Sequence, residues 1–193
     1  LKKNNFQEID LVIVNFYPFE KTLENKKNHK NIIENIDIGG PTMVRAAAKN
    51  FNDVTVITSP KQYANLIEEL NSNKSRTTLE FRQQMSEIAF TETSYYDGVI
   101  SNYFITKSKK LFPKKKIFFS NLVENLRYGE NPHQEAAIYS LGNKLNIKQI
   151  SGKKLSYNNY NDIFSALLIT KSLPKNIGTA IIKHANPCGV SVN

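Results

Sequence analysis

Two β-branched apolar runs separated by one helix pattern constrain this chain more than any other feature. Residues 9–16 (Ile-Asp-Leu-Val-Ile-Val-Asn-Phe) form a near-continuous apolar run that Pro18 ends, and residues 54–58 form a second. The first reads as a strand buried on both faces. Between the runs, Gly39-Gly40-Pro41 puts proline at a first helical position, and Met43, Val44, Ala46, Ala47 and Ala48 continue a strong helix pattern. Ser59-Pro60 then supplies an N-cap and a proline start for a helix running to about Leu70. Strand, helix, strand, helix in this order implies an α/β fold, with a parallel sheet and helices packed on it. Residues 21–35 read as a polar loop entering a short helix.

Farther along, residues 77–107 form a long helical region with Leu79, Phe81, Met85, Ile88, Ala89, Tyr96, Val99, Ile100 and Phe104 near helical spacings, and residues 91–94 are a candidate break. Core packing is the expected role of its aromatics. A lysine-rich stretch at 107–116 reads as a solvated linker. Beyond it, residues 117–119, 136–141 and 179–182 are strand candidates, and 161–172 is a helix. The composition shift places a boundary near residue 119, giving one domain over 1–119 and a second over 120–193.

At 193 residues and 40% hydrophobic content the chain can bury a sizeable core. Its single cysteine, Cys188, excludes an internal disulfide framework and a cysteine-based zinc pattern, and reads as a small buried thiol. A reducing, cytoplasmic setting is the default for such a chain. No apolar stretch approaches the roughly 20 residues that span a bilayer. A net charge of +9 suits polyanionic partners, from phosphorylated metabolites to nucleic acid. Yet 22 Lys stand against 4 Arg, beside 24 Asn, so a compositional bias of the source is the blander and preferred explanation.

Four constellations could carry chemistry. The first joins Tyr17, at the end of the first run, to Asp37 before the Gly39-Gly40 helix entry, with Arg45 and Lys49 one turn apart beyond it. A tyrosine, a carboxylate and a lysine around one pocket could move protons and polarise an amide, and exposed N–H groups at the helix entry could hold an anion or a carbonyl oxygen. Asp37 could equally serve only to cap the helix. Eight helical residues span about 12 Å, so Lys49 meets Asp37 only if it folds back or the helix is short. The second is Leu-Arg-Tyr-Gly-Glu-Asn-Pro-His-Gln at 126–134, where Arg127 and Tyr128 supply phosphate-capable and stacking groups, with an ordinary polar turn as the alternative.

The third is Leu-Ser-Tyr-Asn-Asn at 155–159, whose asparagines could recognise a carboxamide, while Asn161 or Asp162 reads as a helix cap. The fourth is Lys-His-Ala-Asn-Pro-Cys-Gly at 183–189. Lys183 and His184 sit at a strand end that Asn186-Pro187 and Gly189 are expected to close as a turn, and only such a break lets two adjacent residues share a site. Imidazole exchanges protons near neutral pH, and an ammonium stabilises a developing oxyanion.

In this order the four motifs closely resemble the family of bifunctional purine biosynthesis proteins that combine phosphoribosylaminoimidazolecarboxamide (AICAR) formyltransferase with IMP cyclohydrolase. The resemblance implies a methylglyoxal-synthase-like domain, truncated at its N-terminus, followed by the start of a cytidine-deaminase-like α/β transferase domain. It implies that Tyr17, Asp37 and Lys49 are catalytic in ring closure of the formylated ribotide FAICAR, with Gly39 and Gly40 lining that pocket. It further implies that Arg127, Tyr128 and Asn159 bind substrate, Asn158 being the alternative to Asn159, and that Lys183 and His184 are the catalytic pair of formyl transfer. The co-substrate would be 10-formyltetrahydrofolate, with no metal, no nucleic acid and no membrane involved, and a homodimer is expected of the intact protein. Family members extend beyond both ends of this sequence, so an internal piece without full activity of its own is expected. The competing readings are a basic nucleotide- or nucleic-acid-binding module without catalysis, and an effector-binding domain confined to the first half.

Overall fold

A computed structural model describes residues 7–25, 28–108, 111–141, 145, 147–174 and 177–192. The chain divides into two compact units, Leu1–Phe119 and Ser120–Asn193.

In the first unit, strand β1 (Leu11–Ile13) lies parallel to β2 (Thr55–Ile57), with Val12 opposite Val56. The connection between them carries three helices, α1 (Phe19–Glu24), α2 (His29–Glu34) and α3 (Gly39–Lys49). Where a loop entering one short helix was expected at 21–35, α1 and α2 form two, because Asn28 caps the second by accepting from the Asn31 N–H at 2.9 Å. A 3-10 turn at Pro60–Gln62, capped by Ser59, opens α4 (Tyr63–Ser72), and α5 (Leu79–Lys107) follows.

The core forms where α3 and α5 cover β2: Val44, Ala48, Val56, Ile57 and Ala89 are all completely buried. β1 departs from the expectation of burial on both faces. Val12, Val14 and Phe16 pack against the core, whereas Leu11 and Ile13, which alternation points the other way, are exposed. The anticipated break at 91–94 is also absent, since α5 runs unbroken for 29 residues. Thr93 is fully buried there and returns its hydroxyl to the Phe90 carbonyl at 3.1 Å, so the helix absorbs the threonine.

Residues 117–119 are not a strand. Phe119 packs edge-on against Tyr95 with ring centroids 5.2 Å apart and approaches Gly98 so closely that a Cβ there would lie 3.0 Å from its ring. The segment docks side chains on a helix instead of pairing its backbone.

The second unit begins with β3 (Asn121–Asn125), antiparallel to β4 (Ala137–Ser140). Helix α6 (Tyr157–Ser172) comes next, then the antiparallel pair β5 (Thr179–Lys183) and β6 (Asn186–Ser191). Three expectations change here. Helix α6 starts four residues before 161, because Ser156 rather than Asn161 or Asp162 is its cap. The predicted closing turn at 186–189 is strand β6, and the chain reverses at His184-Ala185, both with positive φ (53° and 60°). Cys188 is exposed, since a register shift after Ile181 leaves it the unpaired residue between Pro187 and Gly189.

Candidate functional site

In the first unit, Asp37 organises the turn before α3. Its Oδ1 accepts from the Gly40 N–H at 2.8 Å and its Oδ2 from the Tyr17 N–H at 3.3 Å, while its own N–H donates to the Tyr96 hydroxyl at 2.8 Å. The carboxylate thus satisfies a free N–H at the helix start and joins it to the segment leaving β1. Glycine at 40 is required for this approach, because a Cβ would fall 2.5 Å from Asp37 Oδ2. Tyr96 is buried against Phe16 and Phe19. Burial pushes its hydroxyl pKa up, and the nearby carboxylates of Asp37 and Asp97 add to this while the Asp37 N–H opposes it.

The Tyr17 side chain is exposed on a cavity of about 550 Å³ at the C-terminal ends of β1 and β2, a size that suits a small molecule. Lys21 and Lys61 bring positive charge to its wall, Glu20 and Glu92 negative charge. Tyr95 donates to Glu20 at 2.7 Å. Tyr17, Asp37 and Gly40 are therefore brought together, and Gly39 begins α3 beside them. Lys49 is not. It ends α3, about 15 Å along the axis from Gly39, and among the described residues no hydrogen bond or ion pair joins it to Asp37 or Tyr17. Arg45 stacks on Phe90 at 5.7 Å.

In the second unit, three motifs meet at the first two turns of α6. The loop carrying Arg127 and Tyr128 docks there through Arg127 N–H to the Leu155 carbonyl (3.1 Å), Tyr157 N–H to the Tyr128 carbonyl (3.1 Å) and Asn158 Nδ2 to the Glu130 carbonyl (3.0 Å). One turn further, Asp162 Oδ1 accepts from the Ala185 N–H at 2.7 Å, which ties the Lys183-His184 hairpin turn to the same helix. Asn158 and Asp162, four residues apart, share a helix face. Lys183 and His184 are both exposed at the hairpin end.

The Arg127 guanidinium lies 4.7 Å from the Tyr128 ring centre and donates to its hydroxyl at 3.1 Å. The neighbouring Ser156 side chain, followed by the hydrogen bond and charge of Arg127, lowers the Tyr128 hydroxyl pKa. Asn159 closes a capping box, its Oδ1 accepting from both the N–H and the hydroxyl of Ser156 at 3.0 Å.

Sequence reasoning missed two supports. Tyr96 was legible only as one aromatic in a helical repeat, and nothing in its spacing marked it as the acceptor for Asp37. Asp162 was read as a cap, and only the hairpin position reveals its actual partner. Among the described residues no group of three or more His, Cys, Asp or Glu could hold a metal ion, and no helix is long and apolar enough to cross a membrane.

Fold and sites together define an α/β chain with two separate polar centres, one in each unit. The model of the AICARFT/IMPCHase bienzyme family matches residues 47–193, and that of the MGS-like domain matches residues 2–42. Over 201 residues the chain is 45% identical to the bifunctional purine biosynthesis protein PurH of Rippkaea orientalis, covering 100% of this chain and 39% of that protein. Against the protein of the same name from Oceanobacillus iheyensis it is 42% identical over 198 residues, covering 100% of this chain and 38% of the relative. The chain belongs to the AICARFT/IMPCHase bienzyme family. It spans less than two fifths of the length of these relatives.

Proposed function

We infer that this chain is part of an enzyme of the last two steps of purine nucleotide synthesis. The first step is formyl transfer from 10-formyltetrahydrofolate to the 5-amino group of AICAR, and the second is dehydrative closure of FAICAR to IMP. Residues 1–119 are read as the cyclohydrolase part and 120–193 as the opening of the transferase. One observation carries the reading: the Arg127-Tyr128 loop and the Lys183-His184 turn are held on one face of α6 by Asn158 and Asp162. Motifs spread over about sixty residues of sequence are thereby tied to one helix, within the stretch that the family model matches.

In formyl transfer the amine nitrogen bonds the formyl carbon while the bond to folate N10 breaks. A proton leaves the amine and one reaches N10. His184 takes the role of proton carrier, and Lys183 offers an ammonium to the oxyanion that develops on the formyl oxygen. Arg127 and Tyr128 supply the charge and the stacking face for the ribotide. Asn159 is the carboxamide contact; its Oδ1 is committed to Ser156, so its Nδ2 is the group that would donate to the substrate.

In ring closure the carboxamide nitrogen attacks the formamido carbonyl and water departs. Tyr17 and Asp37 act on those protons, with Gly39 and Gly40 beside them and Lys49 the third catalytic group. Lys49 takes part only if it reaches the site in the complete protein. The same reading makes the intact enzyme a cytoplasmic homodimer.

The test uses the full-length protein with AICAR and 10-formyltetrahydrofolate, following tetrahydrofolate release and IMP formation. Turnover to IMP is expected. A protein that forms neither product, and instead binds RNA with a steep salt dependence, would favour the nucleic-acid reading.

A further inference from the structure

The hairpin that carries His184 adopts a conformation its sequence does not favour. A two-residue loop between paired strands is a type I′ turn when both of its residues have positive φ, and such turns select Asn-Gly or Gly-Gly. Here the two residues are His184 and Ala185, at φ 53° and 60°, with Lys183 and Asn186 paired across the ends. Neither side chain stabilises that geometry by itself, so other groups must hold it. Two do. The Asn186 side-chain amide donates to the His184 carbonyl at 2.8 Å, a local tie. The second comes from outside the hairpin, where Asp162 on α6 accepts from the Ala185 N–H at 2.7 Å.

We propose that Asp162 is a positioning residue for formyl transfer. It locks the His184-Ala185 turn in its left-handed form and thereby fixes the direction of the His184 imidazole relative to Lys183 and the face of α6. The inference rests on the reading of His184 as the proton carrier. A carboxylate suits the task because a hydrogen bond to a charged acceptor is about twice as strong as a neutral one. Its place on α6 matters equally, since the same helix holds the Arg127-Tyr128 loop through Asn158. One rigid element thus sets the spacing between the substrate-binding loop and the reacting pair.

The experiment compares, in the full-length enzyme, wild type with Asp162→Ala, Asp162→Asn, Ala185→Gly, the double variant Asp162→Ala/Ala185→Gly, and His184→Ala as a control. For Asp162→Ala, kcat of formyl transfer is expected to fall roughly 10- to 100-fold, the scale of a misplaced catalytic group, with KM for AICAR nearly unchanged. Asp162→Asn should stay within about threefold of wild type, because the amide oxygen still accepts the bond. Glycine adopts positive φ without strain, so Ala185→Gly in the Asp162→Ala background should restore most of the lost kcat.

Equal damage by Asp162→Asn and Asp162→Ala, or failure of glycine to rescue, would overturn the proposal by giving the carboxylate a role in the chemistry or in folding. Undiminished transfer in Asp162→Ala would overturn it too. Hydrogen exchange at the Ala185 amide supplies a readout independent of activity: protection in wild type and Asp162→Asn, lost in Asp162→Ala, is expected, and equal exchange in all three contradicts the clamp. If His184→Ala retains transfer, the assignment of His184 fails, and the amide exchange still decides whether Asp162 holds the turn.

Discussion

The turn at Asp37 and the turn at His184 solve the same problem with different materials. In each, a carboxylate accepts backbone N–H groups to fix a candidate catalytic side chain. Around Asp37 the support is packing: Tyr96 is wedged between Phe16 and Phe19, and the adjoining core of the first unit contains five completely buried side chains from α3, β2 and α5. Around His184 it is almost wholly polar. Among the described residues Tyr160 is the one buried hydrophobic side chain of the second unit; the loop meets the start of α6 through two backbone hydrogen bonds and the Asn158 side chain, and Asp162 accepts the hairpin's Ala185 N–H. A site held by packing tolerates the loss of one polar contact better than a site held by a few such contacts.

Mutations in the full-length protein can break that comparison, and the largest effect belongs to the core. Ile57→Ala removes a fully buried side chain and is expected to cost about 2–5 kcal/mol, read as a lowered thermal midpoint. Leu168→Ala in the second unit, at a residue 72% exposed, should change stability by less than about 0.5 kcal/mol. A comparable loss at both positions would remove the contrast.

Next comes Tyr96→Phe, which leaves the Asp37 N–H without its acceptor at a cost of about 1–3 kcal/mol. It should slow ring closure while leaving formyl transfer intact; equal effects on both rates would mean a global loss. Ser156→Ala sharpens the polar side of the comparison. Loss of the α6 cap costs about 0.5–2 kcal/mol, and formyl transfer should be the rate that falls.

The smallest effect is a pH dependence at Tyr160, whose hydroxyl donates to Glu124 at 2.8 Å. Burial, followed by the Glu124 hydrogen bond and charge, raises its pKa. The neutral hydroxyl is the form the fold prefers. Its contribution is therefore complete below the ordinary tyrosine pKa of about 10 and is lost as pH rises through the raised value. Tyr160→Phe should flatten that alkaline limb of the stability curve.

What the sequence disclosed follows the same division. The first unit's strand-helix-strand order, the helix start at Gly39 and the capped proline start at Ser59 are local signals, and all three appear in the structure. In the second unit the decisive features are tertiary. Nothing about His-Ala marks a turn, because the residue that stabilises it lies 23 positions earlier in the chain. Pro187 and Gly189 read as breakers, yet both are accommodated in strand β6 beside the register shift. Asn159 read as a free recognition group, but half of its amide is spent on the cap. Lys49 is a different case: its place in the motif pattern was legible, and the helix Gly39–Lys49 puts it one helix length from the Asp37 turn.

The central claim is that the two turns serve two different reactions. It is tested most directly by measuring both rates on the same preparations of full-length His184→Ala and Tyr17→Phe. Loss of formyl transfer with retained ring closure in the first, and the reverse in the second, is the predicted outcome. Both rates falling together in both variants, or neither rate falling in either, would contradict it.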